Sequence, residues 1–146
     1  MVLELGSSVL EQSEVSGGAV SALDHIVINT PNPERAAATY GARLGLRFAL
    51  DRTAEQWQTR FLFFRIGNLT LEVIHRLGDA QDTAGPDRLW GLTWAVEDLD
   101  AAHARLGDAD RDISEIRDGR KPGSRVFTVR DGTQGVPTLF IDHAPR

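Results

Sequence analysis

The chain has 146 residues, of which 41% are hydrophobic, so it can form one domain with an apolar core. It contains no cysteine, which excludes disulfides, a thiolate nucleophile and cysteine-ligated zinc. Its 16 basic and 21 acidic residues leave a formal net charge of −5, which argues against nucleic acid as a partner. No apolar run approaches the roughly 20 residues that span a bilayer, and no secretory signal pattern is found, so we expect a cytoplasmic protein without membrane association.

Residues 1–22 are predicted to form an N-terminal arm, because glycine and serine punctuate them and apolar residues are sparse. An alternative is a short strand in which Val2, Leu3 and Leu5 pack against the domain or a partner. The ordered pattern begins at Leu23–Thr30, where β-branched residues predict the first strand.

A helix is predicted directly after this strand. Asn32 suits the N-cap position, Pro33 suits the first helical turn, and Gly45 supplies a C-terminal stop. Three strands are predicted to follow, at Leu46–Asp51, Arg60–Ile66 and Leu69–His75. These elements form a strand–helix–three-strand unit, which we call module one (residues 23–77).

The second half of the chain repeats this order of elements. A strand at Leu89–Val96 leads into a helix that Asp98 caps and Gly107 ends. Further strands are predicted near Ile113–Ile116, Arg125–Arg130 and Thr138–Asp142. These elements form module two (residues 88–143), after a polar linker (78–87). Because corresponding motifs recur at nearly equal offsets, residues 23–146 are predicted to be an α+β domain of duplicated βαβββ modules in a curved mixed sheet.

The alternation of side chains along the strands predicts which residues share a face. His25 and Asn29 lie on the face of the first strand that points away from the helices, and Glu72 lies on the same face of the fourth strand. In the fifth strand this face carries small residues, including Thr93, that leave room for a cavity. In the last strand, alternation predicts that Phe140 lines the same cavity.

Four segments stand in an order and spacing that is typical of a known family: Leu23–Ile28, Leu69–Ile74, Glu97–Leu106 and Pro137–Ile141. They resemble the vicinal oxygen chelate superfamily, which comprises glyoxalases, bleomycin resistance proteins and extradiol dioxygenases. The resemblance implies the glyoxalase/bleomycin-resistance/dioxygenase fold, in which two modules curve into a cup with the site on the concave face of the sheet.

The resemblance also implies metal ligands from the first and fourth strands of each module, and His25 and Glu72 stand at the two positions in module one. Module two departs from the pattern, because Gly91 and Phe140 stand at its two positions and neither side chain binds a metal. A catalytic divalent site takes about three protein ligands. Three readings therefore stay open for His25 and Glu72: ligands of a divalent metal (Fe, Mn, Ni or Zn), a metal-free acid–base pair, and a structural hydrogen-bonded pair.

A basic cluster surrounds one predicted hairpin. Its members are Arg117, Arg120, Lys121, Arg125 and Arg130. Most of them are expected to be solvated, but Arg125 begins a strand from which it could reach the cup and bind a carboxylate or phosphate. Gly119, Pro122 and Gly123 predict a mobile loop that could act as a lid.

The predicted function is a small-molecule site in the cup. Its residues are His25 and Glu72 as catalytic or metal-binding groups, with Asn29, Thr93, Arg125 and Phe140 as substrate-binding groups. One hypothesis is an enzyme of the lyase, isomerase or oxygenase type. A second is a non-catalytic protein that sequesters an amphipathic compound, as bleomycin resistance proteins do, and a third is a scaffold kept for dimerisation. We expect a homodimer.

Overall fold

The computed structural model of the chain describes residues 17–78 and 82–143. Its elements in chain order are β1 (Val20–Asn29), α1 (Pro33–Ala36), β2 (Arg47–Ala54), β3 (Thr59–Ile66), β4 (Leu69–Arg76), β5 (Arg88–Val96), α2 (Leu99–Asp108), β6 (Arg117–Asp118), β7 (Arg125–Val129) and β8 (Thr138–Asp142). The helix α1 continues as a π-helical segment, Ala37–Arg43. No helix in the described ranges is both long enough and apolar enough to cross a membrane.

Both helices begin where the sequence predicts. The side chain of Asn32 accepts a hydrogen bond from the backbone N–H of Arg35, and Pro33 occupies the first helical turn. The side chain of Asp98 accepts from the backbone N–H of Ala101 in the same way. These caps fix the two points at which the chain leaves the sheet, after β1 and after β5.

The eight strands of the described ranges form one mixed sheet in the order β2-β3-β4-β1-β5-β8-β7-β6. The strand β1 runs parallel to β4, and β5 runs parallel to β8. The first strands of the two halves, β1 and β5, pair antiparallel in the centre and join the halves within one chain. The duplicated fold predicted from the sequence is therefore confirmed, and both halves contribute to one concave sheet face.

A separate apolar core lies beneath each helix. The first cluster brings Phe64 and Val73 against Ala36 of α1, with Ile26 and Ile28 packed beside it. The second cluster is Val96, Leu99, Ala102, Phe127 and Val129. Since the helices cover one face of the sheet, the residues of opposite parity, such as His25 and Glu72, lie on the uncovered face.

Several strand boundaries differ from those predicted, among them β2, which ends at Ala54 rather than at Asp51. The strand β1 begins at Val20, so the last residues of the predicted arm belong to the sheet, while residues 1–16, with Val2, Leu3 and Leu5, lie outside the described residues. The strand predicted at Ile113–Ile116 is reduced to one bridge between Ile113 and Val129. The reason is that the backbone N–H of Thr128 donates to the side chain of Ser114, which interrupts the backbone ladder.

Candidate functional site

A cleft of about 700 Å³ lies on the sheet face that the helices leave uncovered. Both halves of the sheet line it, because β1 and β5 run side by side along its floor. Four of the predicted site residues line this cleft: His25, Asn29, Glu72 and Thr93. The structure therefore brings together the imidazole and the carboxylate that strand alternation placed on one face.

His25 is held by hydrogen bonds on both sides of its ring. Its Nδ1 lies 2.8 Å from Oδ2 of Asp24, and its Nε2 lies 3.0 Å from Oγ1 of Thr93. Because a carboxylate only accepts hydrogen bonds, Nδ1 of the neutral ring carries the proton and donates it to Asp24. The Nε2 atom is left with its lone pair toward the cleft, where the hydroxyl of Thr93 donates to it.

Glu72 is buried, with 5% of its surface exposed, and it interacts with a residue from the other half of the chain. Its Oε1 accepts a hydrogen bond from Nη2 of Arg120 at 2.9 Å, and its Oε2 lies 3.8 Å from Nε2 of His25. The guanidinium of Arg120 also lies over the ring of Phe61, 5.3 Å from its centroid. The sequence places Arg120 in the basic cluster, and the structure brings it against Glu72, 48 residues away in the chain.

Asp24 binds two histidines at once. Its Oδ2 accepts from His25, and its Oδ1 lies 2.7 Å from Nε2 of His143. The hydrogen bond from His25 is the main cause that lowers the pKa of Asp24 from 3.8 to about 2, and the hydrogen bond with His143 lowers it further against the opposing effect of burial. Asp24 therefore stays ionised and fixes the orientation of His25.

The depressed pKa of Asp24 predicts a loss of stability in acid. A carboxyl group whose pKa falls on folding stabilises the folded state above its unfolded pKa, here 3.8, and this contribution is lost as pH falls toward about 2. Since 25% of the Asp24 side chain is exposed, we expect this group to contribute on the order of 1 kcal/mol. The free energy of unfolding, measured with urea at several pH values, should fall less steeply below pH 3.8 in Asp24→Asn than in the wild-type protein.

The exposed Asp108 of α2 provides the control, since Asp108→Asn removes one charge far from both histidines. A stability profile of Asp24→Asn that is parallel to the wild-type profile through this pH range would contradict the prediction.

The prediction that Phe140 lines the cavity is wrong. Phe140 pairs with Trp94 across the sheet and stacks on Phe127 at 5.1 Å, in the core beneath α2. The register of β8 places Leu139 opposite Thr93, so Leu139 lines the cleft in its stead. The cause is that the pairing of β8 with β5 is shifted by one residue relative to the pairing of β4 with β1. This shift reverses the faces on which the side chains of β8 lie.

The prediction that Arg125 reaches the cup is also wrong. Arg125 shares the parity of Phe127 in β7, which points toward the helix layer. There its guanidinium binds Asp100 of α2 and Asp142 of β8, both at 2.8 Å. The arginines of this hairpin that line the cleft are Arg117 and Arg120.

Two tryptophans at the cleft were not predicted as site residues. Trp57 and Trp90 line it and are 50% and 54% exposed. Trp90 is the extra residue of a bulge, because Val27 pairs with Gly91 whereas Ile28 pairs with Leu89. Strict alternation from Thr93 would place Trp90 on the helix face, and the bulge accounts for its position at the cleft.

The donor set of the cleft does not suit a divalent metal. No group of three or more histidine, cysteine, aspartate or glutamate side chains in the described ranges is arranged to hold one. Position 91 cannot supply a third ligand, since a Cβ there would lie 2.8 Å from the carbonyl oxygen of Pro137. Moreover, the cation of Arg120 already binds the carboxylate of Glu72. The structure shows His25 hydrogen-bonded to Asp24 and Thr93, and Glu72 paired with Arg120.

Comparison with known proteins agrees with this fold. The family model described as Glyoxalase/Bleomycin resistance protein/Dioxygenase superfamily matches residues 24–128. The chain is 27% identical over 131 residues to the ethylmalonyl-CoA/methylmalonyl-CoA epimerase of Cereibacter sphaeroides, covering 84% of this chain and 88% of the relative.

Solved structures give the same fold at lower sequence identity. Methylmalonyl-CoA epimerase from Mycobacterium tuberculosis superposes with a TM-score of 0.69 at 19% identity, covering 89% of this chain and 93% of that one. A Streptomyces coelicolor methylmalonyl-CoA epimerase in complex with 2-nitronate-propionyl-CoA superposes with a TM-score of 0.67 at 19% identity, covering 87% and 100%. The chain thus belongs to the glyoxalase/bleomycin resistance protein/dioxygenase superfamily, also called the vicinal oxygen chelate superfamily.

Proposed function

We propose that this protein is a metal-independent isomerase that moves a proton at a carbon atom next to a carbonyl group. The observation that carries the proposal is the hydrogen bond between Asp24 and His25, which keeps Nε2 unprotonated at the cleft, where it accepts from the hydroxyl of Thr93 until a substrate proton takes that place. A neutral imidazole oriented by a carboxylate is a common general base in enzymes. The epimerase relatives support the isomerase class over the lyase and oxygenase classes.

The proposed proton transfer uses the two ionisable groups on the cleft floor. His25 takes the proton from the carbon acid, and the resulting imidazolium is stabilised by Asp24 on one side and by Glu72, 3.8 Å away, on the other. The proton on Nε2 exchanges with solvent before His25 returns one to the substrate, so deuterium from D2O can enter the product. Because His25 and Glu72 project from the adjacent parallel strands β1 and β4, they favour proton transfer on a single face of the substrate.

The relatives and the size of the cleft support a substrate class. Ethylmalonyl-CoA and methylmalonyl-CoA are acyl thioesters that carry an acidic proton between two carbonyl carbons. A cleft of about 700 Å³ lies within the size range of small-molecule sites. We therefore propose a small carboxylated acyl compound, of which an acyl thioester is the first to test.

Solvent isotope exchange tests this function directly. The protein is freed of metal by dialysis against EDTA and incubated in D2O with methylmalonyl-CoA, ethylmalonyl-CoA and related short acyl-CoA esters. Mass spectrometry should show deuterium uptake into at least one of these compounds well above the uncatalysed rate. Uptake by none of them would overturn the proposal for acyl thioesters, and uptake only after a metal is restored would overturn metal independence.

A non-catalytic binding protein is the second candidate, and the exposed rings of Trp57 and Trp90 favour it. Aromatic rings at the cleft mouth suit a ligand with an apolar or planar part. In that case a compound should raise the melting temperature of the protein and be recovered chemically unchanged, without deuterium.

A further inference from the structure

The cleft is rich in positive charge although the whole chain is acidic. Three arginines line it, namely Arg76, Arg117 and Arg120, whereas Glu72 is the one carboxylate among the described residues of its lining. The formal net charge of the chain is −5. This local reversal favours an anionic ligand, because clustered guanidinium groups attract and bind carboxylates and similar groups.

Arg120 is presented to the cleft by a tightly closed hairpin rather than by an open loop. The backbone N–H of Gly119 donates to the carbonyl oxygen of Ser124 at 2.8 Å, and the hydroxyl of Ser124 donates to the carbonyl oxygen of Lys121 at 2.6 Å. A Cβ at position 119 would lie 2.2 Å from the hydroxyl oxygen of Ser124, so this position requires glycine. The hairpin thereby fixes the base of the Arg120 side chain above Glu72.

The guanidinium of Arg120 retains donors for a ligand. Its one hydrogen bond within the described residues is to Oε1 of Glu72, whereas a guanidinium has five N–H donors. The rings of Phe61 and Trp57 lie 5.3 and 6.0 Å from its central carbon, and 56% of the side chain is exposed. Aromatic contacts orient the plane of the guanidinium without using its N–H groups.

We propose that Arg120 is the electrophile of the cleft, and that its guanidinium binds two oxygens of a planar anionic group of the ligand, with Glu72 as a counter-ion that the ligand displaces. This inference rests on the proposed function for the same site. When His25 removes the proton, negative charge develops on the carbonyl oxygen of the substrate. The paired N–H groups of Arg120 stabilise that oxygen together with a neighbouring one, since a planar guanidinium matches two coplanar oxygens.

Binding of oxalate tests this inference without requiring turnover, because oxalate is a small planar anion with adjacent oxygens. Isothermal titration calorimetry is carried out at low ionic strength on EDTA-treated protein. We expect oxalate to bind the wild-type protein, and Arg120→Gln to weaken it about tenfold or more. Arg120→Lys should also bind more weakly, since an ammonium group lacks the paired donors. Glu72→Gln should bind more tightly, because the competing carboxylate is gone.

The matched control is Arg125→Gln, which removes an arginine from the same hairpin on the opposite face of the sheet, and it should leave oxalate binding unchanged. Absence of oxalate binding to the wild-type protein, unchanged binding to Arg120→Gln, or weaker binding to Glu72→Gln would each overturn the inference. Circular dichroism establishes that each variant is folded. If oxalate binding depends on Arg120 but no deuterium exchange is found, the proposed function fails and this inference stands. If deuterium exchange is found but oxalate binding does not depend on Arg120, this inference fails and the proposed function stands.

Discussion

Replacing His25 by glutamine is expected to lower the rate of deuterium uptake by the substrate about 100- to 10,000-fold, the usual contribution of a general base. Glutamine keeps a polar group in the cleft, but it cannot take up a proton. The hydrogen-bonding roles toward Asp24 and Thr93 are partly retained, so the fold should be little affected. The measurement is the exchange assay at saturating substrate, with the melting temperature as a check on folding.

His75→Gln is the matched control for this variant. His75 lies on β4 and its Nδ1 is 2.9 Å from the carbonyl oxygen of Thr30, where it lines a separate hollow of about 310 Å³. Its replacement should leave the exchange rate near that of the wild-type protein. Equal exchange rates in His25→Gln and the wild-type protein would remove His25 from the chemistry.

Introducing histidine at position 91 is expected to destabilise the protein by about 1 to 3 kcal/mol, the usual cost of overpacking, rather than to restore a metal site. Any side chain there meets the carbonyl oxygen of Pro137, which lies 2.8 Å from the position of a Cβ. That carbonyl accepts a hydrogen bond from the backbone N–H of Leu92 at 3.0 Å, so it cannot move without disturbing the sheet. Urea unfolding and elemental analysis of the purified Gly91→His variant measure the two effects.

Gly107→Ala serves as the control for adding a side chain at a glycine. A Cβ at position 107 of α2 would meet only Ile113, at an ordinary contact distance of 3.8 Å, and alanine favours helix formation. This variant should be no less stable than the wild-type protein. A Gly91→His variant with wild-type stability and one equivalent of bound transition metal would show that the cleft can be converted into a metal centre.

Sequence periodicity predicted the fold and the floor of the cleft because both depend on local rules. Asn32 and Asp98 mark helix starts through capping, and alternation correctly separates His25 and Glu72 from the apolar residues beneath the helices. These inferences need only the neighbours of each residue along the chain. The homodimer and the cytoplasmic location stay predictions.

The walls of the cleft could not be predicted in the same way. A bulge at Trp90 and the parity of β8 each shift strand alternation by one residue, which turns Trp90 toward the cleft and Phe140 away from it. The contact between Arg120 and Glu72 depends on how two distant segments pack, and no local pattern distinguishes Arg120 from Arg125. Bulges, register and long-range ion pairs are properties of the assembled sheet.

The closed hairpin that carries Arg120 has a consequence for the kinetics of ligand capture. The turn from Lys121 to Ser124 is already hydrogen-bonded within the folded chain, so the conformational entropy of ordering it is lost during folding and not during binding. Association then requires diffusion of the anion into the arginine-lined cleft and displacement of Glu72 from Arg120, but no ordering of the turn. We expect the association rate constant to depend on long-range electrostatic attraction between the anion and the arginines. It should therefore decrease as dissolved salt screens the charges.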